Sequence, residues 1–395
     1  MKVALISPFT PPLVGGLERV TANLAGGLQA AGHEAFIVGQ FASSRHSLRD
    51  RFTRVEPQRS FRVGDVPVSI VPPRWPLGLP GSLVYGLMWT PGLRKPSVAL
   101  LGRAFRRGLE PLVRGVDVVH YLGVGTDTIG FAAASAARAA NVPLVVQPAM
   151  HPGHWGDRPL DAELYRRADA VIAFTRGEAE LIARLGVAAD RVRIVPGSVD
   201  PPPASDPGRF RRRYGIEGPI VLFVGRKTVD KGIDRLLAAW PAVRAAHPTA
   251  TLVLIGPSWN GPSPAPALPA GIVDIADASE EEKHDALAAC DLLCLPSTGE
   301  SFCIAVFEAW WHGKPVVVAD VPALRESVGA CDGGRLVAPE PRPIAEAVDS
   351  LLRDPTLRNE MGARGRILAA EHTHGRTLAR YLETYAEVLG RRRAG

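Results

Sequence analysis

Two pairs of charged residues in the second half of the sequence have the types and spacing to handle a phosphorylated, hydroxyl-rich ligand. Arg226 and Lys231 bracket the run Gly225-Arg226-Lys227-Thr228-Val229-Asp230-Lys231-Gly232, directly after the apolar stretch Ile220–Val224. Arginine offers a planar fork to phosphate oxygens and lysine a compact charge. A pyrophosphate leaving group gains negative charge as the bond to it breaks, and fixed cations stabilise that charge. The plainer reading is a pair of solvated loop cations. The second pair, Glu300 and Glu308, follows the apolar stretch Leu292–Leu295. Glu300 precedes an expected helix. Glu308 falls about a turn and a half into it, between Phe307 and Ala309, and is expected to be partly buried and to need a partner. A carboxylate that accepts two hydroxyl hydrogen bonds suits a ribose, and one beside the ligand suits sugar hydroxyls. The backbone N–H groups of Ser301, Phe302, Cys303 and Ile304 open that helix and could hold a phosphate. Alternatively, Glu300 caps the helix and Glu308 joins a surface ion pair.

A third candidate lies near the start. The loop Ser7 to Gly16 ends in Gly15-Gly16, and two glycines at a helix start let a ligand approach backbone N–H groups. A simple glycine turn explains it equally well. Other phosphate signatures fail. Gly123-Val124-Gly125 continues Thr126-Asp127-Thr128, without the third glycine of a dinucleotide fingerprint, and Gly313-Lys314 runs into Pro315 rather than the Ser or Thr of a Walker loop. Cys290, Cys294, Cys303 and Cys331 form no CxxC pair, and no His cluster completes a zinc spacing; they read as reduced core thiols.

These loops need a scaffold that aims them. Val3–Ile6, Ala35–Val38, Val116–His120, Leu144–Gln147, Ala170–Ala173 and Val192–Val195 read as buried strands separated by amphipathic helices, the first near Gly16–Ala31. The stretch 40–113 is less regular. At 196–208, five prolines and two glycines in thirteen residues break any helix or central strand and mark a linker. The pattern restarts with Ile220–Val224, a helix near Ile233–Ala246, Thr251–Ile255, Leu292–Leu295, a helix near Ile304–His312, and Val316–Ala319. The proline-rich run 261–271 reads as a surface loop, and helical patterns fill 341–390. The expected fold is α/β: two tandem Rossmann-like, doubly wound domains facing across a cleft, with a helical C-terminal tail. The domains are placed at 1–200 and 201–372, with a helix over about 373–395 packing back on the first. Such sheets bind ligands at the carboxyl ends of their strands, where all three motifs fall.

Composition limits the function classes. A hydrophobic fraction of 46% with 22% charged residues excludes wholesale disorder. No apolar run reaches the roughly 18 residues of a membrane span. Pro8, Pro11 and Pro12 interrupt the first apolar stretch, which therefore reads as a strand rather than a signal peptide, and a cytoplasmic location is expected. The +6 net charge is uneven. Residues 1–200 carry 23 basic and 16 acidic side chains, residues 201–395 carry 23 and 24, and 45–114 alone hold 13 and 4. A basic first half suits an anionic partner such as a phospholipid surface or a phosphorylated acceptor. No nucleic-acid motif accompanies the charge, so nucleic acid is not an expected partner.

Taken together, the motifs resemble those of the retaining, GT-B-fold glycosyltransferases of sequence family four. The PP-x-x-GG-x-E-R loop is Pro11 to Arg19, GR-x4-KG is Gly225 to Gly232, and E-x7-E is Glu300 to Glu308. The resemblance implies that Arg226 and Lys231 bind the donor diphosphate, that Glu308 holds the ribose, and that Glu300 holds the transferred sugar. It implies that His151, one of ten histidines, lies near that sugar, with His120 a weaker candidate. Gly15 and Gly16 would face the phosphate or the acceptor. The family often has glycine where Cys303 stands, a Gly-Gly pair where this chain has Pro322-Ala323, and Asn-Gly where it has Gly197-Ser198. No D-x-D triplet occurs, which favours Arg226 and Lys231 over a metal on the diphosphate; no cofactor is expected. With no evident carboxylate nucleophile, the resemblance implies front-face attack, the leaving phosphate taking the acceptor proton.

The expected reaction is transfer of a sugar from a nucleotide-diphosphate donor to a sugar, lipid-linked or small-molecule acceptor. A catalytically silent nucleotide-sugar-binding protein of the same fold and a sugar-nucleotide epimerase are the alternatives. Trp75, Leu77, Leu79, Leu83, Leu87, Met88 and Trp89 interleave with the arginines of 45–114, as in a peripheral contact with an anionic membrane. A buried core beneath a solvated basic face explains the same pattern.

Overall fold

The structure, a computed structural model, describes residues 1–13, 15–44, 46–75, 80–90, 92–257 and 268–394. The chain divides into two compact units. One comprises Met1–Gly197 with His374–Gly395, the other Ser198–Thr373.

The first unit is built on strands β1 (Lys2–Phe9), β2 (Glu34–Phe41), β3 (Arg59–Val63), β4 (Val66–Ile70), β5 (Val118–Leu122), β6 (Leu144–Gln147), β7 (Ala170–Ala173) and β8 (Val192–Ile194). They form one sheet in the order β3-β4-β2-β1-β5-β6-β7-β8. Every pair is parallel except β3 with β4. Between the strands run α1 (Gly16–Ala30), α2 (Asp50–Thr53), α3 (Gly81–Met88), α4 (Arg94–Ala104), α5 (Arg106–Val113), α6 (Gly130–Ala139), α7 (Pro159–Tyr165) and α8 (Arg176–Arg184). The irregular stretch 40–113 thus contains an antiparallel hairpin and four helices, whose short lengths hide their periods in the sequence.

The alternation of β1 explains why its run is wholly apolar. Val3 and Leu5 pack with Leu24 and Leu28 of α1, while Ala4 and Ile6 pack with Leu101, Phe105 and Leu109 on the opposite face. A parallel strand covered on both faces has no solvent side to be polar on. β8 corrects the sequence reading. It lies at the sheet edge with one neighbour, and Ile194 is 40% exposed, so this strand is not buried.

The second unit contains α9 (Pro207–Tyr214), β9 (Ile220–Val224), α10 (Ile233–Ala246), β10 (Thr251–Ile255), β11 (Ile272–Ile275), α11 (Glu280–Ala289), β12 (Leu292–Leu295), α12 (Ile304–Trp311), β13 (Val316–Ala319), α13 (Pro322–Cys331), β14 (Gly334–Val337), α14 (Pro341–Arg353) and α15 (Pro355–Ala369). Its six strands are all parallel, in the order β11-β10-β9-β12-β13-β14. Pro207 and Gly208, read as linker, begin α9 instead. Asp206 accepts a hydrogen bond from the Arg209 N–H at 3.0 Å, and proline suits the first helical position, where no N–H is needed. Most of the proline-rich run 261–271 lies outside the described residues.

The last helix, α16 (His374–Ala394), belongs to the first unit. Tyr381, Tyr385 and Val388 join the core of Val3, Leu5 and Leu24. Tyr385 and Tyr381 also reach two polar side chains buried in the sheet, His120 Nδ1 at 2.7 Å and Gln147 Oε1 at 2.9 Å.

Candidate active site

In the second unit the strand order reverses between β9 and β12. Chain direction after β9 leads one way across the sheet and after β12 the other, which leaves a crevice at their carboxyl ends. The loops that leave these two strands carry Arg226, Lys231 and Glu300. A single turn of 3-10 helix, Val229–Lys231, ends on Gly232 at φ 75°. A Cβ at Gly232 would stand 2.2 Å from the Pro296 carbonyl oxygen, so glycine is what lets the two loops touch. They are then tied by the Asp230 carbonyl, which accepts from Thr298 N at 2.9 Å and Ser297 Oγ at 3.1 Å.

Lys231 Nζ lies 2.6 Å from Glu300 Oε1, with the side chains 14% and 6% exposed. The solvated-cation reading of Lys231 is therefore wrong. It answers a buried carboxylate, whose desolvation would otherwise be costly. Arg226 sits half-buried just beyond Gly225. Lys227, between them in sequence, is committed elsewhere, forming an ion pair with Asp274 of β11. Among the described residues, Thr228 Oγ1 and Asp230 Oδ2 in the same loop are buried with no hydrogen-bond partner. Two unanswered polar atoms in one loop mark a place where a ligand or water is wanted.

Glu300 does not cap α12, which has no side-chain cap, and Glu308 is no surface pair. Its side chain is 2% exposed and accepts from Lys283 Nζ of α11 at 2.8 Å. Cys303 stands at the start of α12 with φ 66°, a left-handed conformation that side chains other than glycine rarely adopt. The glycine that the resemblance leads one to expect at this position would adopt it without strain. Its thiol hydrogen-bonds Glu300, and burial holds it protonated far above the ordinary thiol range. Phe302 is buried and stacks on Phe307 at 4.2 Å between ring centroids; Ser301 and Ile304, on either side of it, are half-buried.

Glu280, His284 and Glu308 bring ligand-type atoms within 4.8 Å of one another. The Lys283 ammonium lies against both carboxylates, 2.7 Å from Glu280 and 2.8 Å from Glu308. His284 Nδ1 meets His312 Nε2 at 3.1 Å, and burial pushes the pKa of His312 down to about 4. This cluster already carries its own cation.

The first unit holds the other candidates. His151 is 9% exposed and bridges to Trp155, their rings stacked at 3.8 Å. The bend that delivers it contains Ala149 at φ 48°. Glu178, at the start of α8, fastens that bend by accepting from Met150 N and Phe174 N, each at 2.6 Å. Burial raises Glu178 from 4.5 to about 7. Gly15 precedes α1 in an extended conformation and Gly16 is its first residue, where an added Cβ would meet nothing within 4 Å. Steric room therefore does not require glycine at Gly16.

His120 is corrected. It lies fully buried in β5, bonded to Tyr385, and burial lowers its pKa to about 3. It is a neutral core histidine. Sequence reasoning also passed over Asp127, which accepts from Val124 N at 3.0 Å and forms an ion pair with Arg51, and Asp161, raised to about 6 chiefly by burial. Only the failed glycine pattern at 123–128 pointed toward that loop.

Two domain families match the chain in the order of its two units. Residues 15–197 match the Glycosyl transferase 4-like domain, and residues 218–354 match Glycosyl transferases group 1. The second unit thus carries the group 1 glycosyl transferase domain and the first the glycosyl transferase 4-like domain. Similar relatives include D-inositol 3-phosphate glycosyltransferases. That of Acidothermus cellulolyticus is 33% identical over 254 residues, covering 59% of this chain and 56% of the relative. That of Kineococcus radiotolerans is 32% identical over 276 residues, covering 60% of this chain and 63% of the relative. The matched part thus spans less than two thirds of these relatives. Among solved structures, Anabaena HepE in complex with UDP-glucose has a TM-score of 0.75 at 18% identity, covering 98% of this chain and all of that one. Sucrose-phosphate synthase from Thermosynechococcus elongatus gives 0.74 at 18% identity, with 98% and 99% covered. At such identity the likeness is one of fold: the chain has two Rossmann-like domains of the GT-B type.

Proposed function

We propose that the chain transfers a sugar, with retention, from a nucleotide-diphosphate donor to an acceptor hydroxyl. The observation that carries this is the Lys231–Glu300 pair at the β9/β12 switch point, beside half-buried Arg226. In this reading Arg226 and Lys231 neutralise the departing diphosphate in place of a metal. Lys231 can trade part of its contact with Glu300 for phosphate oxygens, and Glu300 can turn toward sugar hydroxyls, so ligand replaces an existing pair rather than filling a void. Glu308 holds the ribose, and the N–H groups of Ser301 to Ile304 face the phosphate. His151 approaches the transferred sugar, while Gly15 and Gly16 border the phosphate or the acceptor. The Lys231 contact and the buried Glu308 carboxylate argue against a decayed, silent site.

Relatives named for D-inositol 3-phosphate and the basic first half together support a phosphorylated acceptor. A peripheral position on an anionic membrane, facing the cytoplasm, is the wider setting of this reading. Leu83, Trp89 and Leu93 are 40–45% exposed around α3 and α4, next to exposed Arg94 and Lys95. Met88, by contrast, is core, Trp75 packs on Phe52, and Leu77 and Leu79 lie outside the described residues. Among the described residues no helix is long and apolar enough to cross a membrane.

The test begins with thermal shifts against UDP, GDP, ADP and dTDP, then the matching nucleotide sugars, since ligand binding raises the melting point by mass action. The best donor, labelled in its sugar, is then given inositol 3-phosphate and other candidate acceptors. Label in an acceptor-linked product with the donor's anomeric configuration supports the proposal. Inverted product overturns retention, an altered sugar on the nucleotide indicates an epimerase, and binding without turnover indicates a silent protein.

A further inference from the structure

We infer that Lys283 is a positioning residue for donor binding: its ammonium, clamped by Glu280, holds the Glu308 carboxylate in place for the ribose hydroxyls. This rests on the donor reading above, which assigns the ribose to Glu308.

Lys283 lies in the run Glu280-Glu281-Glu282-Lys283-His284-Asp285, which reads as the solvated first turns of a helix. Ser279 caps that helix, accepting from Glu282 N at 3.1 Å, and the cap fixes which face of α11 turns inward. Lys283 is on that inward face, its side chain 8% exposed. Nζ donates to Glu308 Oε1 at 2.8 Å and to Glu280 Oε2 at 2.7 Å. Glu280 is 70% exposed and belongs to the same helix, so it aims the lysine without itself being buried.

The arrangement answers a specific need. A carboxylate as buried as Glu308 tends to take up a proton when no cation is near. Protonated, it would present an O–H donor and lose part of the acceptor capacity that two ribose hydroxyls require. The ammonium keeps it an acceptor and fixes its orientation through Oε1. Glu280, His284 and Glu308 include the residue types of a divalent-cation site. The chain supplies an ammonium against the two carboxylates instead. Its three rotatable donors allow the contact to adjust as hydroxyls arrive, which a rigid guanidinium fork would do less well.

Equilibrium titration of UDP, ADP and GDP, each against its 2′,3′-dideoxy counterpart, tests this in the full chain. Wild type should prefer the best ribonucleotide over its dideoxy form by about 10-fold or more, as for hydrogen bonds to a charged group. Lys283→Met should lose most of that preference, while affinity for the dideoxy nucleotide stays within about 2-fold. Lys283→Arg should recover part of it. A fall of both affinities together in Lys283→Met would mean a general structural role and would overturn the inference, as would an intact preference in a folded variant. Where Lys283→Met fails to fold, Lys283→Arg and Glu280→Gln decide; full preference in both counts against the inference. A wild type with no preference, matched by Glu308→Gln, removes the ribose assignment and this inference with it. A preference lost in Glu308→Gln but kept in Lys283→Met removes the inference alone.

Discussion

Two pairs of buried carboxylates, one pair in each unit, are met in opposite ways. In the second, Glu300 and Glu308 are met by lysine side chains, Lys231 at 2.6 Å and Lys283 at 2.8 Å. In the first, Glu178 and Asp161 are met by backbone N–H groups, of Met150 and Phe174 and of Thr126 and Arg158. A backbone donor is fixed by the chain path, so a carboxylate bound to it serves as a clasp on a loop. A lysine on a flexible stem can share its charge with an arriving ligand. Under the proposed function, the same chemical group is architecture in one unit and a binding element in the other.

The comparison can be broken most forcefully at Lys231. Lys231→Ala and Arg226→Ala should each lower turnover by about 100-fold or more, read from initial rates with the donor found by the thermal-shift screen. Lys231→Ala also strands a buried Glu300, at a cost of roughly 1–3 kcal/mol that should show as a lower melting point. Adding Glu300→Gln to Lys231→Ala should restore much of the stability and none of the activity. Recovery of turnover in the double variant would make the lysine structural, like the clasps of the first unit.

The clasp side is tested at Glu178. Its pKa rises from 4.5 in the unfolded chain to about 7 in the folded one, so between those values the folded state holds the extra proton. The stabilising contribution of that proton is complete below pH 4.5 and is lost as pH rises to about 7. Thermal melts should therefore show wild type losing ground to Glu178→Gln across that interval. Asp161 drifts the same way and His120 the opposite way, which is why the pairwise difference is the quantity to follow. A flat difference would show that Glu178 is ionised throughout.

A smaller effect is expected at Cys303. Relieving its left-handed conformation with Cys303→Gly should stabilise the chain by about 1 kcal/mol, or roughly 2–4 °C, less whatever the thiol contact to Glu300 contributes. The smallest effect concerns the basic face. Replacing Arg103, Arg106 and Arg107 with Gln should weaken sedimentation with anionic vesicles at low salt, without changing nucleotide affinity. If wild type does not sediment with such vesicles, the basic face meets a soluble phosphorylated ligand instead.

Legibility in the sequence followed the range of the physics. β9, β12, β13 and α10 were readable because each is a local pattern, an unbroken apolar run or an amphipathic period bounded by glycine or proline. The loops after β9 and β12 were readable because their charged residues sit at fixed offsets from those runs. Lys283 was hidden because a lysine among glutamates looks solvated, and only the packing of α11 beside α12 buries it. The strain at Cys303 had one signal, the glycine that the resemblance places there, although nothing in its neighbours' types demands a left-handed residue. The antiparallel hairpin of β3 and β4 escaped because edge strand β3 buries none of its residues and carries two arginines, which leaves only the five residues of β4, with Pro67 among them, to show an alternation.

The return of α16 to the first unit makes that unit discontinuous in synthesis. During translation Met1–Gly197 emerges early, yet its core lacks Tyr381, Tyr385 and Val388, and His120 and Gln147 lack the tyrosine hydroxyls that answer them. Ser198–Thr373, by contrast, is continuous and can close as soon as it leaves the ribosome. The half made first is therefore the half completed last, and a nascent chain or a truncation ending before His374 exposes an unfinished apolar face. Quality control acting on this protein would have its longest opportunity there, on the N-terminal sheet awaiting its final helix.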